Sequence, residues 1–222
     1  MRRIVVLGDR NTEYLTHREI DAAIALLPST IQAQWVGTDS VDATRTLEAD
    51  ALWVVPGSPY KNDDAVYAAI KAARTKGQPF LGTCGGFQYT VIEFARNAAG
   101  IAGAEHEETA PNAIELAITR LSCSLVAQER MITPISGTRM FEICGPAPFV
   151  GFHWCNYGVA PAYVARLVKH GLVISATADD AGVEAIELRG HPFFLATSFQ
   201  PQVGSSSGKP LHPVLQAFVH AV

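Results

Sequence analysis

The chain has 222 residues, of which 48% are hydrophobic and 17% charged, and its net charge is −4. This length and composition allow a sizeable buried core, and we expect a single domain over residues 1–222. The absence of a long basic run argues against nucleic acid as a partner, and no apolar run approaches the ~20 residues of a membrane span.

Apolar runs rich in β-branched residues alternate with helical patterns in the first half of the chain. Continuous apolar strands that alternate with helices favour a parallel sheet covered on both faces. The sequence therefore predicts an α/β fold built on an open, mostly parallel sheet. The predicted strands are Ile4–Gly8, Ile31–Val36, Ala51–Val55 and Phe80–Thr83, and the predicted helices are Thr16–Leu27, Asp63–Lys76 and Gly86–Arg96.

The second half is less regular and predicts extra short strands. Two helices are expected, over Pro161–Lys169 and His212–Val222, and Gly204–Gly208 is expected to be a flexible loop. The predicted strands are Ala113–Ala117, Leu125–Gln128, Met140–Ile143, Leu172–Ala176, Val183–Glu187 and Phe194–Ser198.

Cys84 lies between the fourth predicted strand and its following helix, in the stretch Gly-Thr-Cys-Gly-Gly. A nucleophile flanked by glycines at both second neighbours is typical of a strained strand-to-helix turn, because small residues let strand and helix approach closely. A helix start favours thiolate, and the Gly85 N–H can face an oxyanion. The alternative is a buried cysteine beside a glycine-rich turn.

A second loop, Pro56–Pro59, follows the third predicted strand directly. In an open parallel sheet the loops at the carboxyl ends of the strands surround the ligand crevice. We therefore expect Gly57 to supply a second oxyanion donor and Ser58 to lie at the same site, although a simple turn would have the same composition.

These motifs resemble the class I glutamine amidotransferases, and within them the C-terminal glutaminase region of CTP synthase and the stand-alone CTP synthase C-terminal region-related proteins. The resemblance covers nearly the whole chain, through "IVVLGD" at Ile4, "VVPGSP" at Val54, "PFLGTCGGFQ" around Cys84 and "AIELRGHPFFLATSFQPQ" near the end. It implies a flavodoxin-like fold, a nucleophilic Cys84 and a substrate-holding Gln88.

The sequence departs from this family at the base. The resemblance implies a histidine and a glutamate where this chain has Gln200 and Gln202. A glutamine amide does not accept a proton near neutral pH, so Gln200 cannot be a general base and Gln202 cannot stabilise an imidazolium. Ordinary glutaminase chemistry is therefore in doubt, and the synthetase region that would use ammonia is not present in these 222 residues.

Two segments offer a replacement base. His17 follows the first strand, and related proteins imply a thiol-contacting acidic residue in that loop, for which Glu13 and Glu19 are further candidates. The alternative is a solvated residue in a helical first turn. His153 lies in "GFHWCNYG"; if this segment is a strand, His153, Cys155 and Tyr157 share one face. Ordinary aromatic packing is the alternative there.

The candidate site thus contains catalytic residues and residues that hold substrate. We expect no metal or other cofactor, because the spacing of Cys84, His153 and Cys155 gives no positive support for a zinc site. Four cysteines without a CxxC pair indicate a reduced, cytoplasmic protein. The catalytic candidates are Cys84, His17, His153, Gln200 and Gln202, and the substrate-binding candidates are Gly57, Ser58, Gly85, Gly86, Gln88, Cys155, Asn156 and Tyr157.

Two functions remain open. The first is a cysteine-dependent hydrolase or acyl transferase that acts on a small amide or other carbonyl substrate. The second is a non-catalytic ligand-binding or regulatory relative that keeps the pocket. The expected partners are a small-molecule substrate and either a second copy of the chain or a separate subunit.

Overall fold

The computed structural model describes residues 1–40, 46 and 48–222. Its first half alternates strands and helices as predicted, because each continuous apolar run forms a short buried strand. The strands are β1 (Arg2–Leu7), β2 (Ile31–Val36), β3 (Ala51–Val54) and β4 (Phe80–Thr83), and the helices are α1 (Leu15–Ala25), α2 (Asp63–Lys76) and α3 (Gly85–Asn97).

The second half supplies mainly strands. The helices there are α4 (Arg139–Cys144), α5 (Pro161–Lys169) and α6 (Pro213–His220). The strands are β5 (Ala104–His106), β6 (Glu115–Arg120), β7 (Gln128–Pro134), β8 (Phe149–His153), β9 (Tyr157–Val159), β10 (Leu172–Ala178), β11 (Gly182–Leu188) and β12 (Phe194–Thr197).

A mixed sheet with the strand order β2-β1-β3-β4-β12-β11-β10-β7-β8 organises the fold. The first five strands in this order pair in parallel, and the others extend the sheet by antiparallel pairs. Strands β5, β6 and β9 form a separate three-stranded sheet. The predicted α/β class is confirmed, and the carboxyl ends of β3, β4 and β12 lie side by side.

Helices cover both faces of the large sheet, as predicted. Successive residues of β3 alternate between the two layers: Leu52 and Val54 pack with α2, α3 and α5, whereas Trp53 packs with α1, α4 and α6. In the first layer, Phe80 stacks on Phe194 with ring centroids 4.5 Å apart. The strands are therefore buried on both sides, which explains their continuous apolar sequences.

The prediction of a strand over Met140–Ile143 is wrong, because these residues lie in α4. Thr138 caps that helix by accepting a hydrogen bond from the Phe141 N–H at 3.3 Å. The buried carboxylate of Glu187 accepts hydrogen bonds from the Arg139 and Met140 N–H groups at 3.0 and 3.3 Å. Glu187, which is distant in sequence, thus accepts hydrogen bonds from otherwise unpaired backbone N–H groups at the start of this short helix. These contacts allow a helix where the local residues favour a strand.

Three other segments of the second half differ from prediction. In the predicted strand Leu125–Gln128, Val126 and Ala127 form a turn, Ala127 has a φ of 56°, and strand β7 begins only at Gln128. The predicted strand Ala113–Ala117 begins later, at Glu115. Gly204–Gly208, predicted to be a flexible loop, contains a short 3₁₀ helix over Ser205–Ser207, and the Glu19 carboxylate accepts hydrogen bonds from the backbone N–H groups of Gly204 and Ser206, each at 3.0 Å.

Among the described residues, no helix combines the length and the apolar character needed to cross a bilayer.

Candidate active site

Cys84 occupies a sharp turn between β4 and α3. Its φ of 52° and ψ of −106° lie where residues other than glycine rarely occur. Such strain persists only where surrounding contacts impose it. Here the Cys84 N–H donates to the Thr197 carbonyl at 2.8 Å, and the Cys84 carbonyl accepts from the Gln88 N–H at 3.1 Å. Hydrogen bonds to β12 and to the first turn of α3 therefore hold the residue on both sides.

Small residues around Cys84 allow this turn, as the sequence predicts. A Cβ atom on Gly86 would lie 2.2 Å from the Val54 carbonyl oxygen, and one on Gly82 would lie 2.9 Å from the Gly86 oxygen. A side chain at either position would push α3 away from β3 and β4. Gly86 therefore acts through packing and does not line the cavity described below.

His17 holds the loop that follows β3. The Asn11 N–H donates to His17 Nδ1 at 2.9 Å, so the ring proton is on Nε2, which donates to the Pro56 carbonyl at 2.9 Å. Burial lowers the pKa of His17 and keeps the ring neutral. Both ring nitrogens are thus engaged with the backbone, and this geometry does not support His17 as the proton acceptor for Cys84.

The position of the His17 ring also explains why residue 57 is a glycine. Gly57 has a φ of 117°, and a Cβ atom there would lie 3.2 Å from His17 Nε2. Ser58 lies against the start of α3, where a Cβ on Gly85 would meet its Oγ at 2.6 Å. The two backbone segments with candidate oxyanion donors, at Gly57 and Gly85, therefore approach the turn from adjacent strands.

Cys155 is the ionisable neighbour of Cys84. The Cys84 thiol is buried, and its Sγ lies 3.9 Å from the carbonyl oxygen of Trp154. A hydrogen bond with Cys155 and burial together raise the pKa of Cys84 well above its ordinary value, although the Gly85 N–H and the Gln200 amide act in the opposite direction. The predicted effect of the helix start is present through the Gly85 N–H, but the hydrogen bond with Cys155 and burial outweigh it.

The pKa of Cys155 is shifted in the opposite direction from that of Cys84. Its hydrogen bond with Cys84 lowers the pKa of Cys155, burial opposes that effect, and the positive charge of His153 adds to it. Strand β8 ends at His153 and β9 begins at Tyr157, so Cys155 lies in the irregular segment between them. The prediction of one strand is thus wrong, and no single strand face carries His153, Cys155 and Tyr157.

His153 and Glu184 form an ion pair in the interior, and neither side chain is exposed. His153 Nε2 lies 3.0 and 2.9 Å from the two Glu184 carboxylate oxygens. Burial works to lower the pKa of His153, but the hydrogen bond and charge of Glu184 outweigh it and raise the pKa. Glu184 therefore favours the protonated form of His153, the form whose charge lowers the pKa of Cys155.

A pair of glutamines lies behind the turn. Gln202 Nε2 donates to Gln200 Oε1 at 2.8 Å, and both residues are buried. Gln200 Nε2 and Gln202 Oε1 find no well-formed hydrogen bond among the described residues. Since its oxygen is already engaged, Gln200 turns only its N–H donors toward Cys84, which agrees with its effect on the pKa of Cys84.

These groups meet at a cavity of about 600 Å³. Tyr14 and Trp154, which are 52% and 45% exposed, mark its opening to the surface. His153, Gln202 and His17 lie outside its wall, behind the residues that line it. The predicted site residues that line the cavity are Gly57, Ser58, Cys84, Gln88, Cys155, Asn156, Tyr157 and Gln200, together with the loop candidate Glu13.

Gln88 is held rigidly in the cavity wall. Its Nε2 donates to the Tyr157 carbonyl at 3.0 Å. The Glu108 N–H donates to His106 Nδ1 at 3.1 Å, so His106 carries its proton on Nε2 and donates to Gln88 Oε1 at 3.2 Å. Burial lowers the pKa of His106 to about 4, which keeps this donor neutral.

Sequence reasoning missed three functional candidates. Glu108 lines the cavity, and burial raises its pKa. His106 positions Gln88, and Glu184 pairs with His153. For Glu184 a signal existed, because a carboxylate inside a strand predicted to be buried requires a partner. Its partner, 31 residues away, could not be identified from the pattern.

Among the described residues, no group of three or more histidine, cysteine, aspartate or glutamate side chains could hold a metal ion.

Comparison with known proteins identifies the family. A family model for class-I glutamine amidotransferases matches residues 12–219. The chain belongs to the class I glutamine amidotransferase family. The CTP synthase of Aeropyrum pernix is 37% identical over 194 residues, 82% of this chain, and that of Methanothrix thermoacetophila is 35% identical over 222 residues, 95% of this chain.

The chain spans only part of these relatives, 36% of the Aeropyrum protein and 39% of the Methanothrix protein. Among solved structures, the acivicin-bound glutaminase domain of the Trypanosoma brucei CTP synthase superposes with a TM-score of 0.84 and 24% identity, covering 100% of this chain and 93% of that one. A glutamine amidotransferase from Thermotoga maritima gives a TM-score of 0.61 at 13% identity, covering 98% and 82%. The amidotransferase fold is shared.

Replacing Gly86 should destabilise the protein. The added methyl of Gly86→Ala meets the backbone of Val54, so we expect a loss of about 3 kcal/mol in the free energy of unfolding, measured by urea denaturation. Gly103→Ala is the matched control, because the nearest atom to its Cβ lies 3.9 Å away. Equal stability of the two variants would contradict the close packing of α3 on β3.

The two buried histidines of the site should titrate on opposite sides of the ordinary value of 6.5. NMR titration should place the pKa of His153 above 6.5 and that of His106 near 4. Because the His153 pKa is raised by folding, its contribution to stability is full below pH 6.5 and is lost as the pH rises through the folded pKa.

A variant of Glu184, the carboxylate partner of His153, tests the cause of the raised pKa. Glu184→Gln should lower the pKa of His153, whereas Glu187→Gln, which changes another buried carboxylate of β11, should leave it unchanged. A His153 that titrates below 6.5 in the wild-type protein would refute the ion pair.

Proposed function

We propose that this protein is a cysteine-dependent hydrolase or acyl transferase of the amidotransferase type, acting on a small amide or other carbonyl substrate. One observation carries the proposal. Cys84 is held in a strained turn at a cavity, between two backbone segments with N–H groups, and a second thiol with a lowered pKa, Cys155, lines the same cavity.

The general base in this proposal is Cys155 and not Gln200, which occupies the position where the family resemblance implies a histidine. Gln200 offers only N–H donors toward the sulfur, because its oxygen accepts from Gln202. We assign the base to Cys155, because its hydrogen bond with Cys84 and the charge of His153, which pairs with Glu184, lower the pKa of Cys155. A lowered thiol pKa makes the thiolate more accessible as a proton acceptor, and the thiol can return the proton later in the reaction.

The reaction then proceeds by ordinary acyl transfer. The Cys84 thiol proton passes to the Cys155 sulfur as the Cys84 sulfur bonds to the carbonyl carbon. Negative charge develops on the carbonyl oxygen, toward the N–H groups of Gly57 and Gly85. The carbon–nitrogen bond breaks, the leaving amine takes the proton from Cys155, and water or another nucleophile releases the acyl group from Cys84.

The cavity wall favours a substrate with polar groups next to its carbonyl. Ser58, Gln88, Asn156 and the carboxyl of Glu108 surround the space in front of Cys84. The trypanosomal glutaminase domain with a similar fold binds acivicin, and relatives of this family support an amide related to glutamine. Such a substrate would place its charged end toward Glu108 and the rim, and its amide carbon at Cys84.

A second copy or a separate subunit is the proposed partner. The matched CTP synthases have more than half of their length outside the aligned region, so any acceptor of the released amine would lie outside these 222 residues. Reduced thiols are required for the reaction, in keeping with the cytoplasmic location predicted from the cysteine content.

A second candidate function is ligand binding without chemistry. The raised pKa of Cys84 favours it, because a thiol protected by burial and by Cys155 is a poor nucleophile unless its proton is removed. In that case the glutamine pair and the cavity would bind an amide ligand, and Cys84 would act only as a hydrogen-bond donor.

Acylation of Cys84 separates the two functions. An activated γ-glutamyl ester should leave an acyl group on Cys84 in the wild-type protein, detected by peptide mass spectrometry. Cys155→Ser should slow this acylation by roughly 10²–10⁴-fold, because it removes the general base. Its pH profile should also lose the limb due to the Cys155 thiolate, which a purely structural role would not change.

Cys144→Ser is the control, since Cys144 lies outside the cavity beside Met140, and it should acylate at the wild-type rate. Binding of acivicin without any adduct on Cys84 would overturn the enzymatic proposal and favour the second function. An adduct formed equally fast in Cys155→Ser would overturn the assignment of Cys155 as the base.

A further inference from the structure

Two cysteine side chains line the same cavity. Cys84 and Cys155 both line it and both are free thiols. Acyl transfer uses this pair to move protons. Two adjacent thiols can also lose two electrons together and form a bond, and nothing in acyl transfer requires the second residue to be a sulfur.

The backbone around the pair suits such a bond. Cys84 is fixed by its hydrogen bonds to β12 and α3, and its Sγ lies 3.9 Å from the carbonyl of Trp154, the residue that precedes Cys155. Cys155 lies between β8 and β9, where its carbonyl accepts one hydrogen bond from the Leu125 N–H at 3.1 Å. The backbone of Cys84 is held rigidly, whereas that of Cys155 lies outside regular structure, where small backbone adjustments are easiest.

The other two cysteines have no such arrangement. Cys144 Sγ lies 3.6 Å from the Met140 sulfur on the same helix, and Cys123 Sγ lies 4.0 Å from an Asp180 carboxylate oxygen. Neither lines the cavity. They are therefore internal controls for any chemistry that depends on the pair.

We propose that Cys84 and Cys155 form a redox-active dithiol in which a hydroperoxide oxidises Cys155 and Cys84 then closes a disulfide. In the first step the Cys155 thiolate attacks the terminal peroxide oxygen and the O–O bond breaks. The leaving alkoxide or hydroxide takes a proton, and Cys155 becomes a sulfenic acid. In the second step the Cys84 sulfur attacks Cys155, its proton leaves with the hydroxyl as water, and the S–S bond forms.

The charges around the pair set this order. The thiolate is the form that reacts with peroxide, and Cys155 lies two residues after His153, whose buried pair with Glu184 is on the same side of the cavity wall. The hydrogen bond with Cys84 and the charge of His153 lower the pKa of Cys155, which favours thiolate there. Cys84 keeps its proton until the second step, which is the role of a resolving thiol. The unpartnered Gln200 Nε2, buried beside Cys84, can donate to the oxygen that the first step leaves on Cys155.

The disulfide would also switch off acyl transfer, because it consumes the nucleophile and the base together. A small dithiol reductant would reopen it by two thiol–disulfide exchanges and restore both groups. This activity does not depend on the proposed amide substrate, and a ligand-binding protein without amidase activity could have it.

The experiment follows the fate of each cysteine in the reduced full chain treated with hydrogen peroxide. The wild-type protein should lose the mass of two hydrogen atoms, and peptide mapping should link Cys84 to Cys155. The Cys123→Ser, Cys144→Ser double variant should do the same at the same rate. Cys84→Ser should stop at a sulfenic acid on Cys155, trapped by dimedone, and Cys155→Ser should leave Cys84 unoxidised under these conditions.

A dithiol reductant should reverse the wild-type change, and thermal melting of each variant checks that it remains folded. A disulfide that includes Cys123 or Cys144, a dimedone adduct on Cys84 in the Cys155→Ser variant, or wild-type protein that keeps both thiols reduced in excess peroxide would each overturn the proposal. Because these results come from mass and peptide mapping without an amide substrate, they are independent of the acylation test.

Discussion

The close approach of α3 to the carboxyl end of β3 is the constraint on which the site depends. Gly86 allows contact with the Val54 backbone, and this contact forces the chain into a turn that puts Cys84 at a φ of 52°. The hydrogen bond from Cys84 to Thr197 ties the same turn to β12. The Cys84 sulfur therefore lies where three strand ends meet, and no loop movement is needed to place it there.

An amide and an ion pair surround this fixed sulfur. Gln200 lies beside Cys84, and the charged groups His153 and Glu184 come from the antiparallel part of the sheet. Strands β8 and β11, which carry His153 and Glu184, have two strands between them in the sheet order. Gly151 lets β8 pack against Phe199, which brings that strand back toward the site. A buried charge is tolerated only when it is paired, so His153 and Glu184 depend on one another.

Much of this arrangement could be predicted from local pattern, and the failures have a common cause. The parallel strands, the turn at Cys84 and the loop at Gly57 follow from apolar runs and glycine spacing, which are local properties. The helix α4 was missed because its start is satisfied by Glu187, about fifty residues away. His17 was expected near the sulfur, but backbone groups engage both of its nitrogens. The pairing of Cys155 with Cys84, and of His153 with Glu184, arises only from tertiary contact.

The most direct test of the account is the pH dependence of alkylation, measured separately for Cys84 and Cys155 by peptide mass spectrometry. The apparent values belong to the coupled pair and not to either residue alone. The account predicts that Cys155 reacts with an apparent pKa below the ~8.5 of free cysteine, that Cys84 reacts only at higher pH, and that Glu184→Gln raises the value for Cys155. Two thiols that titrate independently near the free value, with no response to Glu184→Gln, would contradict it.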